Sequence, residues 1–362
     1  MNLEQKVRIV VHDLADRAPN PNDLADVARH RGRRIRRRRQ ATTGVTVLVL
    51  ATTAVVPFVV MREQKRDSPQ PTATTPSPVR TTAAPTAWGN VSVRLPGDMI
   101  VTALSRNDVG VDAPAGRTLA TGNVVFDRTT NRYVALRGDY YTVWGATEKN
   151  TGVVSDGANG LGIIRGDNSI KWIKVGYKLD PQWSPDGTRL LLSTLKGYAV
   201  VEAATGRVTR HETPEAIAAC PDDCFFTWQP DGRTIAIAQR DLSVAQSEEK
   251  ADTIKNVLVY NAGNGRPLAT VDVPGVPVSG SPWSPNLRRV LVQTTDGAAI
   301  MDTATGKVVR NIPERNARFT PGGGVLGIGD EFARLYDADG KLYEEMLLPA
   351  DFSGRTISAG LP

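Results

Sequence analysis

The feature that most narrows the fold is a repeat that begins at Trp88 and runs through the rest of the chain. Its first element reads PQWSPDGTRLLLS from Pro181, FTWQPDGRTIAIA from Phe226 and SPWSPNLRRVLVQ from Ser281. Divergent copies read ARFTPGGGVLGIG from Ala317 and VVFDRTTNRYVAL from Val124. A second element follows: YAVVEAATGRVTR, VLVYNAGNGRPLA, AAIMDTATGKVVR and ARLYDADGKLYEE. Pro185-Asp186-Gly187, Pro230-Asp231-Gly232 and Pro285 preset one turn, and Gly206, Gly265, Gly306 and Gly340 supply the positive φ of the other. Period-two runs of Val, Ile and Leu between them read as half-buried strands.

Recurrence at roughly 45 residues matches a four-stranded propeller blade. A blade is covered only by its neighbours, so such a ring must close. Residues 88–362 divided by that period predict an all-β propeller of about six blades, with seven as the alternative. The first half counts less cleanly. YVALRGDYYTVW from Tyr133 and LGIIRGDNSIKW from Leu161 read as two strand–turn–strand units set close together. One blade there is therefore expected to be short or to borrow a strand from the region around residues 91–125. A β-sandwich would lack the paired turn motifs.

The units typified by Trp183-Ser184-Pro185-Asp186-Gly187 resemble those of TolB-like and WD40-like bacterial propellers, over residues from about 120 to 345. The Gly-His and Trp-Asp dipeptides of strict WD40 repeats are missing, which favours the TolB-like comparison. The resemblance implies a fold and leaves activity open, because many functions use propellers.

Ahead of the repeat, residues 41–61 form an uncharged apolar run that matches the thickness of a bilayer core as a helix. Arg33, Arg34, Arg36, Arg37, Arg38 and Arg39 precede it, whereas Arg62, Lys65 and Arg66 beyond it are mixed with Glu63 and Asp67. The positive-inside rule predicts a single-pass membrane protein with a cytoplasmic N-terminus and an extracytoplasmic propeller. The same arginines are placed to contact anionic lipid. Residues 1–40 are expected to be a basic arm of two short helices, one on Leu3, Val7, Val10, Val11 and Leu14, the other capped by Asn22. Residues 62–87, rich in Pro, Thr, Ser and Ala, read as an extended stalk. This layout resembles membrane proteins of high-GC Gram-positive bacteria, some of which act beside sigma factors. The His and paired-Cys zinc pattern of anti-sigma proteins has no counterpart, since residues 1–61 contain no cysteine.

The formal charge of +6 belongs to the arm, which holds eleven Lys and Arg against five Asp and Glu. The propeller is close to neutral, so no nucleic-acid partner is expected. Cys220 and Cys224 are the only cysteines. Outside the cytoplasm they are expected to close a small disulfide loop; too few ligands accompany them for a zinc site.

Chemistry is sparse. His211, in VTRHETPE, is the one histidine beyond the span and is read as a satisfied surface residue, with no nucleophile elbow to pair with it. Gly322–Gly327 matches the string of a dinucleotide loop but occupies a blade-turn position. Arg137-Gly138-Asp139 and Arg165-Gly166-Asp167 read as tight turns. Asp222-Asp223 offers too few oxygens to predict calcium. No catalytic set, cofactor or metal site is predicted. Arg240–Asn256, polar and longer than a hairpin loop, is the favoured contact surface.

These features predict a non-enzymatic, membrane-tethered binding or sensing module for an envelope protein or glycan, with the arm relaying to a cytoplasmic regulatory protein. The alternatives are a non-signalling anchored scaffold and an extracytoplasmic hydrolase or lyase of propeller fold.

Overall fold

A computed structural model describes residues 79–83, 88–106, 118–138, 140–149, 151–157, 160–165, 167, 169–221, 224–247 and 250–362. Within them the fold is the all-β propeller of six blades that the repeat predicts. The basic arm with Arg33–Arg39, the 41–61 span and residues 62–78 of the expected stalk lie outside the described residues. No helix among the described residues is long and apolar enough to cross a membrane.

The first elements among the described residues are β1 (Arg80–Thr82) and β2 (Arg94–Leu95). Blade 1 contains β3 (Met99–Ser105), β4 (Val124–Asp127) and β5 (Arg132–Ala135). Blade 2 is β6 (Thr142–Gly145), β7 (Gly152–Ser155), β8 (Gly160–Ile164) and β9 (Ile170–Lys174). Blade 3 is β10 (Gln182–Trp183), β11 (Arg189–Ser193), β12 (Gly197–Glu202) and β13 (Val208–Glu212). Helix α1 (Pro214–Ala218) leads to blade 4, β14 (Thr227–Trp228), β15 (Thr234–Arg240), β16 (Ile254–Asn261) and β17 (Pro267–Val271). Blade 5 has β18 (Arg289–Gln293), β19 (Ala298–Asp302) and β20 (Val308–Ile312), its first strand reduced to bridges at Pro277 and Trp283. Blade 6 is β21 (Asn316–Phe319), β22 (Val325–Ile328), β23 (Phe332–Tyr336) and β24 (Leu342–Leu347).

The ring closes with β25 (Thr356–Gly360), which pairs antiparallel with β3 in the place that β10 takes beside β11. The irregular count of the first half follows from this. Blade 1 draws β3 from the 91–125 region, as expected, and in addition takes its inner strand from the C-terminal region. Arg137 and Gly138 lie in the link between β5 and β6, so the first of the two tripeptides joins blades; only Arg165 and Asp167 belong to a turn within one. Residues 80–82, placed by the sequence in the expected stalk, are instead a strand. Arg80–Thr82 pairs in parallel with Glu344–Met346 on the outer edge of blade 6.

Alternation along the middle strands explains the closure. Leu190 and Leu192 of β11 face a core shared with blade 2, whereas Leu191 between them faces one shared with blade 4. Each pair of neighbouring blades shares one such apolar core, and the last joins blade 6 to blade 1 through Leu326, Ile328, Ile100 and Leu104. Every blade is thus apolar on both faces and cannot be stable without a neighbour. The repeated tryptophans tie successive inner strands: Trp183 Nε1 donates to Trp144 O at 3.4 Å, Trp228 Nε1 to Gln182 O at 3.1 Å, and Trp283 Nε1 to Thr227 Oγ1 at 3.2 Å.

The turn chemistry is local. Asp186 accepts from Ser184 Oγ at 2.6 Å and Thr188 Oγ1 at 2.8 Å, and Gly187 takes φ 65°. In blade 5 Leu287 holds the same left-handed conformation, φ 60°, without a glycine. Asp302 accepts from the amides of Ala304 and Thr305 in the second kind of turn.

Candidate functional site

Because the strands of each blade alternate in direction, its four connections fall on two faces of the ring. The first-to-second and third-to-fourth turns share one face. It carries Asp186-Gly187, Asp231-Gly232 and Leu287, together with Gly206, Gly265, Gly306 and Gly340. Every blade turn expected from the repeat lies there, and several pack on a neighbouring blade. Lys171 Nζ donates to Thr205 O, and Arg189 donates to Gly232 O while lying 5.0 Å from the Trp228 ring centroid. That face is built by the repeat.

The opposite face carries the irregular connections. Helix α1 and the Cys220–Cys224 loop link blades 3 and 4 there, and the long hairpin loop between β15 and β16 projects from the same side. The cysteine Cα atoms are 5.9 Å apart and the sulfurs are joined. Arg240 N donates to Ala219 O at 2.7 Å and Gln239 Nε2 to Ala216 O at 3.2 Å, so helix and hairpin are held together. The ends of the Arg240–Asn256 segment are strand, which leaves residues 241–253 as the loop. Leu195 and Leu242 on this face are 62% and 64% exposed. Asp222 and Asp223 lie outside the described residues.

On the same face, where blade 6 meets blade 1, a cavity of about 430 Å³ is lined by Glu314, Arg315, Asn316, Asp330, Arg334 and Arg355, with Pro313, Ile328 and Ile357 as apolar walls. Glu314 leads into β21, and its side chain is only 3% exposed. Its carboxylate accepts from Arg334 Nη1 at 2.9 Å and from the Tyr336 hydroxyl at 2.9 Å. Arg334 also donates through Nε to Glu345 at 2.6 Å. Room for this carboxylate comes from Gly327, where a Cβ would sit 2.5 Å from Glu314 Oε2. The dinucleotide-like glycine string therefore serves a turn at Gly323 and a buried acid at Gly327.

Hydrogen bonding to Glu345 raises the Arg334 pKa, with Glu314 adding to it against the opposing effect of burial. Burial first, and then the Glu314 charge, push the Tyr336 phenol well above its ordinary range. With its acid committed to Arg334 and Tyr336, this site is suited to holding a polar ligand by charge and hydrogen bonds. None of its members stood out in the sequence. A lone Glu after Pro313 and a lone Arg in FARLY look like ordinary strand-edge charges, and only the seam brings them together.

His211 lies elsewhere, on β13, and is not the satisfied surface residue expected, since its Nε2 is buried without a hydrogen-bond partner. Its ring stacks on Tyr198 with centroids 4.9 Å apart and faces Gly265 of the next blade, and burial lowers its pKa. It occupies the seam position that Lys171 holds against Gly206 one blade earlier. Among the described residues no group of three or more His, Cys, Asp or Glu is placed to hold a metal ion.

No family model matches the chain, and no curated protein matches it. Among solved structures it is similar to regucalcin from Agrobacterium tumefaciens, described as a calcium-binding protein, at 15% identity. The match covers 57% of this chain and 74% of that one, with a TM-score of 0.37.

Proposed function

We propose that this chain is a membrane-tethered binding or sensing module whose irregular face receives an envelope protein or glycan outside the cytoplasm. The observation that carries the reading is the division of the two faces. The repeated turns occupy one, while α1, the disulfide loop, the 241–253 loop and the charged cavity gather on the other. Rigid scaffolds commonly carry recognition on such variable connections. Tethering rests on the uncharged 41–61 run and its arginine flank, and the arm is then the segment that meets a cytoplasmic regulatory protein. Membrane lipid is the partner of the arginines.

Neither the five inner strands, from Thr356–Gly360 round to Asn316–Phe319, nor the bridge residues Pro277 and Trp283 of blade 5 include Asp or Glu. That favours binding over a propeller hydrolase or lyase, whose channel would present carboxylates.

The test is in-cell photo-cross-linking of the full chain with the probe at Leu242 or at Ala304, on opposite faces of the ring. Capture of one envelope component from Leu242 but not Ala304 is expected, with the probe sites accessible only from outside the cell. Equal capture from both faces, or accessibility from the cytoplasm, overturns the reading.

A further inference from the structure

Arg318 differs from the other arginines held within the ring. Arg334 has two carboxylates, Arg289 has Asp302, and Arg128 donates to the carbonyls of Leu361, Ala146 and Thr147. Arg318 lies on β21, the inner strand of blade 6, and its guanidinium crosses to blade 1, where Nη1 donates to Ala359 O. Its Nε is buried without a hydrogen-bond partner, and no ion pair among the described residues includes it. Burial pushes its pKa down to about 10, which leaves it a cation at neutral pH.

The surroundings come from several blades. Gly280, before the inner edge of blade 5, lies against the guanidinium: a Cβ there would be 3.4 Å from Arg318 Nη2, an ordinary contact, and it is the φ of 97° that favours glycine. Gly280 N donates at 2.6 Å to Gln182 Oε1 of blade 3, and Gln182 Nε2 donates to Ser279 Oγ at 3.0 Å. Blades 3 and 5 are not neighbours, so this bridge passes across the centre of the ring. Arg318 is half-buried, on the inner strand that borders the central channel.

We propose that the central channel holds a small oxyanion, a carboxylate or phosphate, on the guanidinium of Arg318. An unpaired charge away from bulk water is costly. The planar fork of arginine matches two oxygens of one carboxylate or phosphate. Arg318 supplies the charge, and Gly280, which lies beside the guanidinium, is held in place by Gln182. The site is separate from the charged cavity, whose lining does not include Arg318, and it does not depend on which partner the irregular face receives.

The experiment follows thermal unfolding of the purified full chain in inorganic phosphate, in acetate or in chloride at constant ionic strength. A ligand that binds only the folded state raises the midpoint with concentration, by about 4 °C when binding is well saturated. Such a rise is expected with phosphate, acetate or both, and the response to each identifies the preferred oxyanion. R318M is expected to abolish the response while leaving the midpoint in chloride unchanged or higher, because it removes an unpaired charge. R318K, which keeps the charge but loses the fork, should respond more weakly and serves if R318M does not fold. No rise with either anion in the unsubstituted protein, or a rise that R318M and R318K retain in full, overturns the proposal.

Discussion

The indole Nε1 of Trp88 donates to the carboxylate of Asp351 at 3.2 Å, joining residues 263 positions apart. The Trp88 ring also meets Phe352 edge-on at 5.0 Å and Tyr133 at 5.5 Å. These contacts lie at the seam where blade 6 meets blade 1, beside the pairing of β25 with β3.

W88A should therefore weaken ring closure as well as remove a buried aromatic. The expected loss is about 3–5 kcal/mol, the range for truncating a buried aromatic. Urea unfolding followed by the remaining tryptophans measures it. D351N, which keeps an acceptor for the indole, should cost less than about 1 kcal/mol.

E314A removes an acid that is hydrogen-bonded to Arg334 and Tyr336 and leaves the Tyr336 hydroxyl without its acceptor. Arg334 keeps Glu345 and is 30% exposed, so water screens part of its loss. A destabilisation of about 2 kcal/mol is expected. E314Q, which preserves an acceptor oxygen, should cost less. Equal midpoints for E314A and the unsubstituted protein in denaturant would show that the charged seam contributes nothing.

The pH dependence of stability should contain a component from His211. Burial holds its pKa below the ordinary 6.5, so the unfolded chain takes up a proton that the folded protein resists. The contribution is present in full above pH 6.5 and is lost as pH falls from there through the depressed folded value. H211F, which retains an aromatic ring against Tyr198, should flatten that part of the profile. The turn carboxylates act in a lower window. Burial raises the pKa of Asp186 and Asp231, but their turn hydrogen bonds outweigh it and hold both below 3.8. An unchanged slope between neutral pH and pH 5 in H211F would assign the acid sensitivity to other groups.

The blades of the second half were legible because each carries its own turn chemistry. Asp186 and Gly187 need only neighbours within a few residues to form their turn, so the motif survives being read as text. Blade 1 was not legible in that way. Its inner strand, Thr356–Gly360, is separated from its partner Met99–Ser105 by the rest of the ring, and TISAG has no turn motif to mark it. The parallel addition of Arg80–Thr82 to β24 was hidden for a related reason. All three residues are exposed, so the strand rests on backbone pairing and leaves no apolar pattern.

What the sequence determined by itself is the blade: period-two apolar runs fix which side chains are buried, and Asp-Gly and Thr-Gly turns fix where the strands reverse. Both are set by interactions over a few residues. The tertiary structure alone decided the sites. Glu314 precedes β21 and Arg334 lies on β23 of the same blade, yet their meeting place is a cavity only because Arg355, just before the closing strand, and Ile357 on it wall it. Arg318 meets Ala359 of the closing strand and Gly280 before blade 5 only because the closed ring brings blades 1, 5 and 6 together. Local pattern specifies the unit; ring closure, which brings distant units together, places the charges.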